Sequence, residues 1–234
     1  MTVSGFETDE NIVSPVEATN RMNRMYRRQR HIYDGTRRYY LLGRDQLLAG
    51  LQPSMGATVL EIGSGTGRNL IAAARQYPGA RFFGIDVSTE MLTSATAAIA
   101  RSGLKGQIRV AHGDATAFDP RAIFGIPSFD HVMISYSLSM IPNWQGALER
   151  AASSLKDGGC LHIVDFGNQE GLPRIIRALL RRWLKMFEVT PRDELEGALK
   201  RVADVSCAKL RFERPFRGYA QYAVLTFSRP PKTP

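Results

Sequence analysis

Cysteine is almost missing from this chain of 234 residues, which carries only Cys160 and Cys207. Both sit in apolar, strand-like stretches without a CxxC spacing, which excludes a disulfide scaffold and a cysteine-built metal knuckle. They read as buried free thiols in a reducing cytoplasm. Histidine is scarce too: His31, His112, His131 and His162 show no metal-ligand spacing, so no metal is expected. No stretch approaches the ~18 consecutive apolar residues that a membrane-spanning helix requires, so a bilayer would be met from one side only. Met1 to Val16 holds Glu7, Asp9 and Glu10 but no basic cluster and no apolar core, which is not a signal-peptide pattern. Internal repeats and low-complexity linkers are also lacking.

What is present suits one sizeable globular domain, with 44% hydrophobic and 23% charged residues. The net charge of +9 is unevenly placed. Residues 1–20 contain Glu7, Asp9, Glu10 and Glu17 and neither Lys nor Arg, and read as a flexible acidic tail. Residues 21–44 hold Arg21, Arg24, Arg27, Arg28, Arg30, Arg37, Arg38 and Arg44 against Asp34 alone. Residues 171–187 add Arg174, Arg177, Arg181, Arg182 and Lys185 with no acid. Charge gathered into two helix-like segments points to an anionic surface as partner, membrane or nucleic acid.

From Pro53 onward the pattern alternates. Thr58–Ile62, Arg81–Asp86, Ile108–His112, Phe129–Ser135 and Cys160–Asp165 are short apolar runs rich in β-branched and aromatic residues. Helical stretches separate them: Asn69–Tyr77, Thr89–Arg101 opened by Ser88 as an N-cap, and Trp144–Leu155. Alternation of this kind predicts an α/β fold, a doubly wound, mostly parallel sheet. Val205–Phe212 and Gln221–Phe227, joined by Pro215-Phe216-Arg217-Gly218, predict an antiparallel C-terminal hairpin at the sheet edge.

A doubly wound sheet binds its ligand at the carboxyl ends of its strands, where strand order reverses. The loop after the first strand reads Glu61-Ile62-Gly63-Ser64-Gly65-Thr66-Gly67. Glycines there allow a tight turn and close approach of backbone to ligand. The dinucleotide fingerprint GxGxxG is not met, because position 68 is Arg68. A carboxylate at Glu61 would repel a pyrophosphate but suits a cation. Asp86 ends the second strand nineteen residues after Gly67, a spacing at which an acid reaches ribose hydroxyls. A third acid, Asp114, follows the third strand in Gly113-Asp114-Ala115.

These motifs, from Thr58 to about Phe166, resemble the class I S-adenosylmethionine-dependent methyltransferases. The resemblance implies a seven-stranded Rossmann-like sheet over 21–234 whose last strand inserts antiparallel beside the fifth. It implies S-adenosyl-L-methionine as cofactor: Glu61, Gly63, Ser64, Gly65 and Asn69 around the methionine part, Asp86 and Val87 at the ribose. Met91 of Ser88-Thr89-Glu90-Met91-Leu92 would pack on adenine, which Asp114 and Ala115 would read, with Ser135 completing the pocket.

The acceptor must be inferred from the rest of the chain. Ser135-Tyr136-Ser137-Leu138 lacks the Pro-Pro-aromatic run of enzymes acting on base exocyclic amines, and no RNA-binding module is attached, so nucleic acid is not the expected partner. Tyr26, Arg30, Tyr33, Arg37, Tyr40 and Arg44 form one helical stripe within 21–50. That stripe either packs on the core or forms a lid, with Tyr33 beside the reacting centre and Arg30, Arg37, Tyr40 and Arg44 gripping the substrate. Tyr136 either packs beneath the cofactor or turns its hydroxyl to the acceptor, and Tyr33, Tyr136 and Asp165 are candidates to take hydrogen bonds from the amine. The segment from Met25 to Asp45, with Arg68-Asn69-Leu70, resembles bacterial diacylglycerylhomoserine N-methyltransferases of betaine-lipid synthesis. That implies an amine-headed lipid substrate, trimethylated, and a cytoplasmic protein peripheral to the inner membrane face. The 171–187 segment, with Trp183 and aliphatic residues opposite cations, fits an interfacial helix as well as a core-packed one. A phosphatidylethanolamine N-methyltransferase, a quinone-ring C-methyltransferase, an RNA methyltransferase and a non-catalytic cofactor-binding scaffold are the rival readings.

Overall fold

The structure, a computed structural model, describes residues 41–228. The acidic tail and most of the 21–50 segment, including Arg30, Tyr33, Arg37 and Tyr40, therefore lie outside the described residues. Seven strands form one sheet: β1 Thr58–Ile62, β2 Arg81–Asp86, β3 Ile108–His112, β4 Phe129–Ser135, β5 Leu155–Phe166, β6 Lys209–Glu213 and β7 Ala220–Thr226. Their order is β3-β2-β1-β4-β5-β7-β6. Strands β1 to β5 run parallel, while β7 pairs antiparallel with both β5 and β6. The expected doubly wound sheet with its antiparallel pair is thus the observed fold. As the resemblance implied, the last strand, β7, inserts antiparallel beside β5, which leaves β6 as the edge strand on that side.

Helices cover the two faces. Helices α1 Arg44–Leu51, α2 Arg68–Gln76, α3 Thr89–Arg101 and α6 Arg174–Met186 lie on one side, and α4 Pro120–Phe124, α5 Trp144–Ser153 and α7 Leu195–Val205 on the other. The buried strands read as unbroken apolar runs for this reason: Leu60 and Ile62 of β1 face α5 and α7, whereas Val59 faces α1 and α2. Helix α3 is capped as expected, with the Ser88 hydroxyl accepting from the Met91 amide at 3.3 Å.

Three sequence expectations need correction. Val205 ends a helix, and β6 starts only at Lys209, because Leu195, Ala198 and Leu199 give that helix a buried stripe. β5 begins at Leu155, ahead of the expected Cys160, through an irregular stretch in which Gly158 takes φ +77° and the register against β4 shifts. Cys207 is exposed and Cys160 half-buried, so neither is a core thiol.

Candidate cofactor site

The switch point of this sheet lies between β1 and β4, and a pocket opens there at the strand carboxyl ends. It is lined by Gly63, Gly65, Ile85, Asp86, Val87, Gly113, Asp114, Ala115 and the stretches 135–137 and 140–142. Of the expected cofactor residues, Gly63, Gly65, Asp86, Val87, Asp114, Ala115 and Ser135 are brought together on its wall. Glu61, Ser64, Asn69 and Met91 are not lining residues.

Backbone geometry explains the glycines. Gly63, Gly65 and Gly67 all have positive φ, and a Cβ on Gly63 would come within 2.6 Å of the Ser137 Cβ. The loop is held by the acid across from it: Asp86 Oδ2 accepts from the Gly65 amide at 2.7 Å, while Oδ1 accepts from the Ser88 amide at 2.9 Å. Glu61 is buried in β1, and Asn69 at the start of α2 donates to its Oε1 at 2.7 Å. Asp114 Oδ1 accepts from both the amide and the hydroxyl of Thr116, each at 2.7 Å. The Ser135 hydroxyl is buried with no hydrogen-bond partner among the described residues.

The lining includes Asp86 and Asp114 but, among the described residues, no Lys, Arg or His. With Glu61 behind the loop, that donor set suits a ligand with positive charge and vicinal hydroxyls. It does not suit a pyrophosphate. These are the features of S-adenosylmethionine, whose sulfonium and ammonium are cationic and whose ribose offers two hydroxyls.

The two described candidates for proton acceptance look different in three dimensions. Tyr136, at φ +55°, lines the pocket, but its hydroxyl donates to the Leu42 carbonyl and its ring packs on Phe166 at 4.7 Å. Burial, together with Asp165 and Tyr219 nearby, pushes its pKa well above the usual phenol value. It is an anchoring group, not a proton acceptor. Asp165 is fully buried and does not line the pocket. Burial raises its pKa to about 6, against the opposing hydrogen bonds from Ser139 and Phe166 and the neighbouring Arg192. Arg44 does not continue a helix from the stripe as expected: Gly43 at φ +86° caps a new helix that Arg44 opens, and Arg44 pairs with its neighbour Asp45 at 3.0 Å and does not line the pocket.

Several site residues had no sequence signature. Met140, Ile141 and Pro142 form a wall of the pocket. Arg192, from the segment before α7, holds that wall by donating to the carbonyls of Leu138 at 3.0 Å and Ile141 at 2.7 Å. Gln221 of β7 donates to the carbonyls of Phe166 and Arg192, both at 3.0 Å. No local pattern marks such contacts, since the partners are 29 to 55 residues apart.

Residues 59–159 match the model of a methyltransferase domain. The matched span runs from β1 into β5 and contains every residue expected to hold the cofactor. Nocamycin O-methyltransferase of Saccharothrix syringae is 34% identical over 115 residues, which is 49% of this chain and 39% of that protein. Demethylmenaquinone methyltransferase of Tropheryma whipplei is 33% identical over 134 residues, 56% of this chain and 49% of that one. The chain thus spans half or less of the length of these relatives. Among solved structures, phosphoethanolamine N-methyltransferase 2 of Haemonchus contortus in complex with S-adenosyl-L-methionine superimposes with a TM-score of 0.62 at 16% identity, covering 80% of this chain and 52% of that one. The fold is that of the class I methyltransferases, which draw a methyl group from S-adenosylmethionine.

A second cavity of about 640 Å³ lies between α5 and α7, lined by Glu149, Lys156 and Arg201 among others, at the opposite end of the sheet. Among the described residues it shares none with the pocket at the strand carboxyl ends.

Proposed function

We propose that this protein is an S-adenosylmethionine-dependent N-methyltransferase that trimethylates the amino group of diacylglycerylhomoserine, yielding the betaine lipid diacylglyceryl trimethylhomoserine. The acidic pocket, with no Lys, Arg or His in its lining among the described residues, supports the cofactor half of this reading. Helix α6 is the observation that carries the lipid half. Ile175, Ile176, Leu179 and Met186 are 76%, 52%, 63% and 70% exposed, while Leu184 from the same apolar face is buried in the core. Arg174, Arg182 and Lys185 border the exposed strip. A helix that keeps half its apolar face in water beside cations is built for a bilayer interface. Arg181 is the exception among the cations: it is tied to Asp193 at 2.8 Å and to Gln169 at 3.1 Å, so it fixes the helix in place.

The helix follows β5, at the pocket end of the sheet, so a lipid headgroup lifted from the interface has a short path to the pocket. The Leu42 carbonyl accepts from the hydroxyl of Tyr136, a lining residue, which supports a lid formed by the segment that precedes Leu42. Bound S-adenosylmethionine would supply an electrophilic methyl on a good leaving group, leaving the protein to position the amine in line. Arg30, Arg37 and Arg44 would hold the homoserine carboxylate, and Tyr33 and the Ser135 hydroxyl would accept hydrogen bonds from the amine. No helix among the described residues is long and apolar enough to cross a membrane.

Purified protein incubated with methyl-labelled cofactor should label the homoserine lipid in a total bacterial lipid extract, in preference to phosphatidylethanolamine, and leave RNA unlabelled. Label in phosphatidylethanolamine alone would shift the substrate; label in RNA would overturn the reading. The likeness to demethylmenaquinone methyltransferase favours a second reading, C-methylation of a quinone ring, which the same extract tests through its neutral-lipid fraction.

A further inference from the structure

Strands β4 and β5 bring together three side chains that methyl transfer does not use. The parallel register sets His131 against Cys160 and Met133 against His162, so Cys160 and His162, two residues apart, project from the same face as His131. The Nδ1 of His131 lies 3.2 Å from the Nε2 of His162, and one ligand atom from each of the three residues falls within 4.8 Å of the others. His162 is 2% exposed, and its Nδ1 is buried with no hydrogen-bond partner among the described residues. The cluster sits toward the amino ends of the strands, on the opposite side of the sheet's length from the cofactor pocket.

We propose that His131, Cys160 and His162 form a binding site for a zinc-class transition metal ion, with the fourth position open to solvent. Two imidazoles and a thiolate are the donor set such an ion selects. Bonds of about 2.0–2.1 Å to nitrogen and 2.3 Å to sulfur place ligand atoms roughly 3.3–3.6 Å apart around a tetrahedral ion. The two imidazole nitrogens already stand near that separation, and the half-buried Cys160 thiol needs to swing by about 1 Å to complete it. Its present contact, the Thr226 hydroxyl at 3.9 Å, is weak enough to give up. Binding would release the thiol proton to solvent and close β4 onto β5 where their register is irregular.

Cobalt(II), which is coloured where zinc is silent, is the probe. Titrated into the reduced, purified chain, it should bind one equivalent and give a thiolate-to-metal charge-transfer band that zinc(II) displaces. Cys160→Ser should abolish the band, and His131→Gln should weaken cobalt binding by roughly 10–100-fold or more, since losing even an outer partner of a metal ligand costs that much. Cys207→Ser, at the exposed thiol, should leave both unchanged. Retained S-adenosylmethionine affinity in each variant shows that the sheet is intact. A folded chain with no charge-transfer band, a band that survives Cys160→Ser, or one lost in Cys207→Ser overturns the proposal; in the first case the two histidines are only hydrogen-bonded to each other.

Discussion

Replacing Arg192 should damage a site it never touches. Its guanidinium makes two charge-assisted bonds, to the carbonyls of Leu138 and Ile141, and lies 5.9 Å from the centre of the Trp144 ring. Bonds of this kind are worth about 1.5–3 kcal/mol each, and Arg192 is half-exposed, so the lower figure applies and Arg192→Met should lose ~3 kcal/mol. Against a typical total of about 5–15 kcal/mol, that is large enough to measure by urea unfolding. Arg192→Lys should fall between, since a single ammonium keeps the charge but cannot span both carbonyls in the fork geometry. The freed wall of Met140, Ile141 and Pro142 should also weaken S-adenosylmethionine binding in calorimetry. A third readout separates this network from general damage. Arg192 holds down the pKa of Asp165, so its loss should raise that pKa beyond about 6. If Arg192→Met unfolds within about 0.5 kcal/mol of the parent and binds cofactor normally, the wall is held by something else and the reasoning fails.

Asp86→Ala removes the acceptor for two backbone amides and the acid proposed to hold the ribose; cofactor affinity should drop by about 10- to 150-fold per lost charge-assisted bond in calorimetry, and unchanged affinity would refute the site. Asp165 is raised from 3.8 to about 6 by burial, so the folded state holds its proton more tightly and stability from this group falls as pH rises through that window. His162 works the other way: lowered from 6.5 to about 3 by burial and by His131, it makes stability rise with pH between those values. Denaturant midpoints of Asp165→Asn should therefore climb more steeply from pH 4 to 6 than those of the parent; parallel curves would refute the assignment. Leu179→Glu on α6 should abolish sedimentation with anionic vesicles while leaving the thermal midpoint near that of the parent, because Leu179 is exposed; equal sedimentation would sink the interfacial helix. Arg30→Lys, Arg37→Lys and Arg44→Lys should cut kcat/KM for the homoserine lipid in at least one case by about 10-fold or more, without change in cofactor affinity; all three near parental values would make the stripe structural.

Strands β1 to β4 and helix α3 were legible to the residue in the sequence, because a parallel strand buried on both faces is a dense apolar run and Ser88 marks the point where β2 gives way to the helix. The acids of the pocket wall were legible for the same reason: Asp86 ends its strand and Asp114 comes just after the end of its own. Anything set by pairing across the sheet could not be read. The histidine spacing suggested no metal ligands, yet one residue of strand register brings His131 to Cys160. Tyr136 announced a hydroxyl in the pocket, but its positive φ turns that hydroxyl to Leu42. Helix α7 has its signal in Leu195, Ala198, Leu199 and Val202, but the β-branched Val205 at its end also fits the start of a strand.

The place of β7 governs the order in which this protein can be made. Seven residue pairs, from Cys160 with Thr226 to Phe166 with Ala220, close the outer side of β5. Until residues 220–226 have left the ribosome, that side of a strand as apolar as Leu161, Ile163 and Val164 presents open amides and carbonyls, a template for any neighbouring nascent chain. Strand β6, synthesised earlier, cannot protect it, because it pairs with β7 alone. A message cut short between the codons for Phe166 and Ala220 would therefore yield an aggregating product, whereas the cofactor half, complete by Pro142, would already have its strands β1 to β4 in hand.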